Sequence, residues 1–293
     1  MRFEYLRPKS VQEAISLLHE HDGKAKVIAG GTDLVVDMRS GLTNQTPRLR
    51  PQYVVDLESI PELDYIECDE KRGLRIGSLA KVRTVENSSV LHQYYPVISQ
   101  AAGQLGSVAI RNVATIGGNL CNAVPSAEMA PPLIALSAKA RITGISGERV
   151  VPLEDFFVHA GETVLNAEEL LVEIQVPMPP LNTKGVYLKH GKRWGTFDLA
   201  MVNVGVVLTL EADNQTCRDA KIVLGAVAST PMRAKKAEAI LGGKKVASSL
   251  IEKAAQAASE EARPITDIRA SAAYRAGMVK VFTRRALEQL IAK

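Results

Sequence analysis

Two short segments carry the residue types best suited to holding a ligand. The first is Val27-Ile28-Ala29-Gly30-Gly31-Thr32-Asp33-Leu34 and the second is Ala114-Thr115-Ile116-Gly117-Gly118-Asn119. Each places paired glycines after an apolar run. Glycine lets a backbone approach a ligand closely and take up positive φ. Successive N–H groups in such a turn form a concave nest for an anion. Thr32, Thr115 and Asn119 add side-chain donors. Two nests of this kind suit the two phosphates of a dinucleotide, or one phosphate and a flavin edge. Either segment alone reads as a tight turn, because double glycines are common punctuation. Their pairing, with matching hydroxyl and amide donors, moves the reading toward a ligand without naming it. A valine at Gly30 or Gly118 is expected to expel that ligand while the fold survives.

Other chemistries find little support. The sequence has no G-x-G-x-x-G, no G-x-x-x-x-G-K-[ST] and no H-E-x-x-H, which argues against a Rossmann nicotinamide site, a P-loop and a zincin helix. His19, His21, His92, His159 and His190 are scattered and read as ordinary surface or core residues. Cys68, Cys121 and Cys217 form no C-x-x-C pair, so this chain alone builds neither a zinc ribbon nor an iron–sulfur cluster. No residue is assigned as a catalytic acid, base, nucleophile or metal ligand.

The elements that must position these segments follow from periodicity. Ser10-Val11-Gln12-Glu13 reads as a capping box, with Val11, Ala14, Ile15 and Leu18 on one helical face and Gly23 as the stop. A strand at 26–29 leads into the first glycine pair, and a helix starts at Leu34, a βαβ-like opening too compressed for a full nucleotide-binding half. Strands are expected at 54–57 and 74–79, a helix from Pro96 to near Gly106, and another at 127–137 around the second glycine pair's exit. Strands at 139–143 and 170–176 precede three prolines within 177–180, the best candidate boundary. Beyond it come strands at 186–189, 199–210 and 220–227, then helices at 231–242, 247–262 and 271–291, the first opened by Thr230-Pro231. Strands followed by helices predict an α+β C-terminal domain.

Composition bounds the function classes. The chain has 293 residues, 46% hydrophobic and 23% charged, which fits a soluble globular protein with a substantial core. Its longest apolar stretch, 130–138, is too short to span a bilayer, and residues 1–10 hold no apolar signal core, so a cytoplasmic location is expected. Residues 231–293 hold 13 basic and six acidic residues, read as a solvated helical surface in preference to a docking patch. Aromatics make up 4% and do not interleave with the basic residues, so no nucleic-acid partner is expected.

At the glycine segments the sequence resembles the medium, FAD-binding subunits of the xanthine dehydrogenase and carbon monoxide dehydrogenase family, the molybdenum hydroxylases. The resemblance rests on Ala29-Gly30-Gly31-Thr32-Asp33, on Ile110-Arg111-Asn112-Val113-Ala114-Thr115-Ile116-Gly117-Gly118-Asn119, and on Asn122-Ala123-Val124-Pro125-Ser126-Ala127-Glu128. Glu169-Leu170-Leu171, Lys189 and Asp198-Leu199-Ala200 continue it in order over about the whole chain. The family implies an α+β protein: a two-subdomain FAD-binding fold of the vanillyl-alcohol-oxidase/PCMH type over 1–177, with subdomains of about 1–53 and 54–177, then a C-terminal α+β domain over 178–293. It implies that residues 27–34 are the FAD diphosphate loop and Thr115 to Asn119 the second FAD loop. Glu128 stands where relatives often bind the adenosine half through aspartate. Leu171 would meet the flavin edge, Lys189 the flavin pyrimidine carbonyl, and Leu105 stands where some relatives stack an aromatic. The family further implies a large subunit with the molybdenum cofactor, a small iron–sulfur subunit, and electrons leaving FAD for NAD, a quinone, oxygen or another acceptor. The alternative weighed is a self-contained FAD-dependent oxidoreductase of the same broad fold.

Overall fold

The computed structural model describes residues 2–40, 50–191 and 198–292. Its first helix, α1 (Val11–Glu20), begins where the cap dictates: Ser10 Oγ accepts the Glu13 N–H at 3.2 Å, and Glu13 reaches back to the Lys9 N–H at 2.6 Å. Val11, Ala14, Ile15 and Leu18 form its buried face, as the period demands. They share a core with Val55 of a parallel sheet made of β1 (Glu4–Leu6), β2 (Ala25–Ile28) and β3 (Tyr53–Asp56), in the order β1–β3–β2. Helix α2 (Leu34–Ser40) follows β2 directly. Because β3 lies at the centre of this sheet, the first unit runs past residue 53 and its core continues to Ile60 and Leu63.

The middle unit is a five-stranded antiparallel sheet with helices on one face. Its strands are β4 (Ile66–Asp69), β5 (Gly73–Gly77), β6 (Lys139–Gly144), β7 (Gly147–Pro152) and, after a ribbon of β8 (Phe157–His159) and β9 (Glu162–Thr163), β10 (Leu170–Val176). They lie in the order β4–β5–β10–β6–β7. Between β5 and β6 the chain forms α3 (Val82–Asn87), α4 (Ser89–Tyr94), α5 (Pro96–Gly103), α6 (Val108–Arg111), α7 (Ile116–Cys121) and α8 (Ala130–Ala135). Leu74, Ile76, Leu171 and Ile174 face these helices, while Leu170 and Val172 point the other way, into the core of the first unit. The helix expected over 127–137 is shorter, ending before Ser137, which stands at φ +58°.

The last unit is an antiparallel sheet of β11 (Thr183–His190), β12 (Val202–Leu210), β13 (Cys217–Gly225) and β14 (Met232–Arg233), with α9 (Lys235–Leu241), α10 (Ser248–Glu261) and α11 (Ala272–Ile291). Every residue of β12 is buried. Val202, Val204, Val206 and Leu208 face the unit's own helices, and Val207 faces the middle unit, so the strand is covered on both sides. Strand β12 approaches α8 so closely that a Cβ on Gly205 would stand 2.9 Å from the Pro131 backbone. The helix expected from Pro231 begins later: Met232 and Arg233 pair with β13, and the Ala234 N–H is still held by the Ile222 carbonyl at 2.8 Å. The strand expected from 199 begins at Val202, leaving Leu199 49% exposed. Among the described residues no helix is long and apolar enough to cross a membrane.

The outward face of β10 carries a charged cluster. Glu173 accepts hydrogen bonds from Tyr65 Oη at 2.5 Å, Gln175 Nε2 at 2.7 Å, Arg141 Nε at 3.2 Å and Arg75 Nη1 at 3.3 Å. These partners, more than any thick core, close the carboxylate off from water. Burial would raise its pKa, but the donors outweigh burial and hold it below the usual carboxylate range. A depressed folded-state pKa contributes stability that is present above the unfolded pKa and lost as pH falls through the folded one. Glu173→Gln should therefore lower stability at pH 7 by about 2–4 kcal/mol and remove part of the parent's loss of stability below about pH 4. Urea unfolding at both pH values checks this; parallel acid profiles for parent and variant would contradict it.

Candidate functional site

The two glycine segments touch. A Cβ on Gly30 would stand 2.1 Å from the Val113 carbonyl oxygen and 2.9 Å from Ala114 Cα, distances no side chain tolerates. Glycine at 30 is thus required by a protein–protein backbone contact. Of the four paired glycines only Gly31 has positive φ, at +66°, so the conformational argument applies there and not at Gly30, Gly117 or Gly118. The far side of the contact is fixed by Arg111, which is 7% exposed. Its guanidinium binds both Glu86 carboxylate oxygens, at 2.7 and 3.3 Å, and donates to the Leu105 and Gly106 carbonyls at 3.0 and 3.1 Å.

The two segments differ in what their amides do. Among the described residues, no protein acceptor is found for the backbone N–H groups of residues 30–34. In the second segment the amides of residues 116–119 are taken. Ile116 N–H goes to Ala80 O at 3.0 Å, Gly117 N–H to Ser78 O at 2.9 Å, Gly118 N–H to Thr115 Oγ1 at 3.0 Å, and Asn119 N–H to Thr115 O at 3.0 Å. Thr115 is the N-cap of α7, so the expected second nest is the first turn of a helix whose donors already have protein partners. Thr115 is 2% exposed and its hydroxyl serves the cap. Asn119 accepts from the Met129 N–H at 3.3 Å, which fixes the chain leading to Glu128. Gly118 stays exposed and Asn119 half-buried, so these two present the surface of the segment.

Glu128 and Lys189 form a buried ion pair at 2.6 Å, with side chains 8% and 9% exposed. The Lys189 ammonium also donates to the Gln104 carbonyl at 2.9 Å, so that one of its three N–H groups has no acceptor among the described residues. Burial pushes the Glu128 carboxyl above its usual range; Lys189 opposes this, and the negative charge of Asp33 adds to it. Asp33 is itself raised, by desolvation first and Asp37 second, although it reaches solvent. Asp33 is thus within electrostatic reach of Glu128, and all three units of the fold converge: residues 30–34, then Gly118, Asn119 and Glu128, then Lys189 on β11.

Other expected residues lie behind this convergence. Leu105 and Leu171 are 6% and 4% exposed and pack in the middle core, so their side chains line no open surface. Val27 and Ala29 pack on the first core, and Ile28 lies against Gly31. Thr32 and Leu34 are half-buried beside the open amides. Sequence reasoning misses Gln104 altogether and gives Arg111 no role within its motif, because neither has a spacing partner. No group of histidine, cysteine, aspartate or glutamate among the described residues is arranged to hold a metal ion.

The model of the FAD binding domain in molybdopterin dehydrogenase matches residues 1–179, and that of the CO dehydrogenase flavoprotein C-terminal domain matches residues 187–290. The chain belongs to the FAD-binding medium subunits of the molybdenum hydroxylases. This subunit is 31% identical to the glyceraldehyde dehydrogenase medium chain of Sulfolobus acidocaldarius, over 98% of each chain. It is 32% identical to the carbon monoxide dehydrogenase medium chain of Afipia carboxidovorans, over 99% of this chain and 97% of that one. Its fold superposes on a chain of the crystal structure of Cu,Mo-CO dehydrogenase in its cyanide-inactivated form with a TM-score of 0.93, at 32% identity, covering 100% and 98%. The α+β architecture is thus the FAD-binding fold of this family followed by its C-terminal domain.

The contact at Gly30 predicts an asymmetry between the two segments. Gly30→Ala must push the Val113 carbonyl away, separating the first and middle units; it should lower the melting temperature and weaken FAD binding together. Gly118→Ala meets only the Thr115 hydroxyl, at 2.9 Å, and should cost no more than about 1 kcal/mol of cap energy. Thermal unfolding and FAD titration of both variants test this. Equal stability losses would contradict it, and so would a Gly30 variant that loses the ligand with its melting temperature unchanged.

Proposed function

We propose that this subunit is the electron relay of a heteromeric molybdenum-containing dehydrogenase. Its FAD would receive electrons from iron–sulfur clusters of a small partner subunit, fed by a molybdenum cofactor in a large one. It would pass them to NAD, a quinone, oxygen or another acceptor, in the cytoplasm. The observation that carries this reading is the row of uncommitted amides at residues 30–34, held beside a buried lysine with a free donor. That donor set fits a dinucleotide diphosphate and an electron-rich carbonyl. When bound, FAD supplies the redox chemistry, taking electrons singly and delivering two.

The residues of the chain bind and orient. Gly30, Gly31, Thr32, Asp33 and Leu34 would hold the diphosphate through backbone N–H groups, with Val27, Ile28 and Ala29 fixing the turn. Glu128, paired with Lys189 at 2.6 Å, would accept from a donor at the same end of the cofactor as the lysine, in place of the adenosine contact expected of it. Lys189 would offer its third N–H to the flavin, where a cation stabilises the negative charge of the reduced ring. Ile116 and Gly117 would set the position of Gly118 and Asn119 through the Thr115 cap, and Leu105 and Leu171 would support the wall from behind. The units follow the same division: an FAD-binding domain over 1–177, in which the first subdomain gives the diphosphate loop, and a C-terminal domain over 178–293 that gives Lys189. The C-terminal match over 187–290 supports a subunit over a self-contained flavoenzyme.

The assembled complex, purified natively, should release FAD on heating. The separated subunit should carry flavin and no iron. Under anaerobic conditions, substrate should bleach the flavin only with the partners present. Rapid bleaching of the lone subunit by an aldehyde, purine or N-heteroaromatic compound would overturn the relay, and release of FMN would overturn the cofactor assignment.

A further inference from the structure

The face of β11 that carries Lys189 also carries Tyr187, two residues earlier. Tyr187 is 1% exposed, and its backbone N–H donates to Gln100 Oε1 at 3.1 Å. Gln100 lies one helical turn before Gln104, whose carbonyl accepts from Lys189. The Tyr187 hydroxyl is closed off from solvent and has no hydrogen-bond partner among the described residues, yet the Glu128 carboxylate is within electrostatic reach. Asn203, the β12 partner of Lys189, donates Nδ2 to the Ala127 carbonyl at 3.4 Å and leaves Oδ1 buried and unpaired. Two buried polar atoms without partners thus flank one buried ion pair.

An unpaired buried hydroxyl destabilises the folded chain, and phenylalanine would fill the same space without that cost. A tyrosine at this position therefore points to a use for the hydroxyl that packing alone does not supply. A ligand that takes the third N–H of Lys189 shares its charge, and the buried Glu128 carboxylate is then left with less of its counter-charge, a costly change for this cluster. The free atom of Asn203 is an acceptor and cannot hold a carboxylate; the phenol can. We propose that Tyr187 is a positioning residue whose hydroxyl is the reserve donor for Glu128, donating to it when bound FAD shares the Lys189 ammonium. This rests on the FAD reading above.

The test is Tyr187→Phe, alone and combined with Glu128→Gln, in the complex co-expressed with its partner subunits. The readouts are the melting temperature of the FAD-stripped protein and the affinity for added FAD. Tyr187→Phe should leave that melting temperature unchanged or raise it, since an unpaired hydroxyl is removed. It should weaken FAD binding about tenfold, the value of one hydrogen bond to a charged group. In the Glu128→Gln background the same substitution should have no further effect on affinity. A lower melting temperature would assign the hydroxyl a structural role and overturn the proposal. Unchanged affinity, or an effect that simply adds to that of Glu128→Gln, would overturn it too. A parent complex that binds no FAD would instead overturn the cofactor reading, which separates the two failures.

Discussion

The approach of Gly30 to the Val113 carbonyl is the constraint on which the site depends. With a Cβ position only 2.1 Å from that oxygen, the two backbones are in contact and no side chain can part them. The contact joins the parallel sheet of the first unit to the helical layer of the middle one, and it sets where residues 30–34 lie. Arg111 holds the opposite wall by binding Glu86 and two carbonyls at once, an arrangement a lysine could not reproduce because it lacks the planar fork. The amides of the first segment stay uncommitted because β2 ends at Ile28 and α2 begins at Leu34, so neither ladder nor helix reaches them.

The third wall arrives by a different route. Strand β12 is buried on both faces, so the sheet of the last unit lies between its own helices and the middle unit. Asn203 holds the Ala127 carbonyl, and on the neighbouring strand Lys189, with Tyr187 two residues before it, pairs with Glu128. Two carboxyls pushed above their usual range, Asp33 and Glu128, stand within electrostatic reach of each other, the second paired with the Lys189 ammonium. Carboxyls in that condition suit a hydroxyl-rich ligand, while the amide row suits its anionic part.

Much of this was legible in the sequence. The Ser10 cap, the strands around Val55 and Ile174, and the helices after Ala247 and Ser271 obey local rules of capping and period, and they stand where those rules put them. The first glycine segment was legible as a donor row. The second misled, because Gly117-Gly118 in a sequence does not reveal that Thr115 caps them into a helix or that Ser78 and Ala80 accept their neighbours' protons. Those acceptors lie more than thirty residues upstream. Met232 and Arg233 misled for a similar reason: Thr230-Pro231 signals a helix start, but pairing with β13 overrides it for two residues. Local propensity cannot weigh a contact made by another strand. Tyr187 and Arg111 were silent because their roles come from the burial of a hydroxyl and a guanidinium, and burial is a property of the fold.

The central claim is that the first glycine segment holds the ligand through its backbone while the second supports it through the protein. Amide hydrogen exchange, resolved to single residues with and without FAD, tests this most directly. The account predicts that FAD slows exchange at residues 30–34, whose N–H groups have no acceptor among the described residues, and changes little at Gly117 and Gly118, whose N–H groups are already bonded. Protection confined to Gly117 and Gly118, with residues 30–34 exchanging as fast as before, would contradict it.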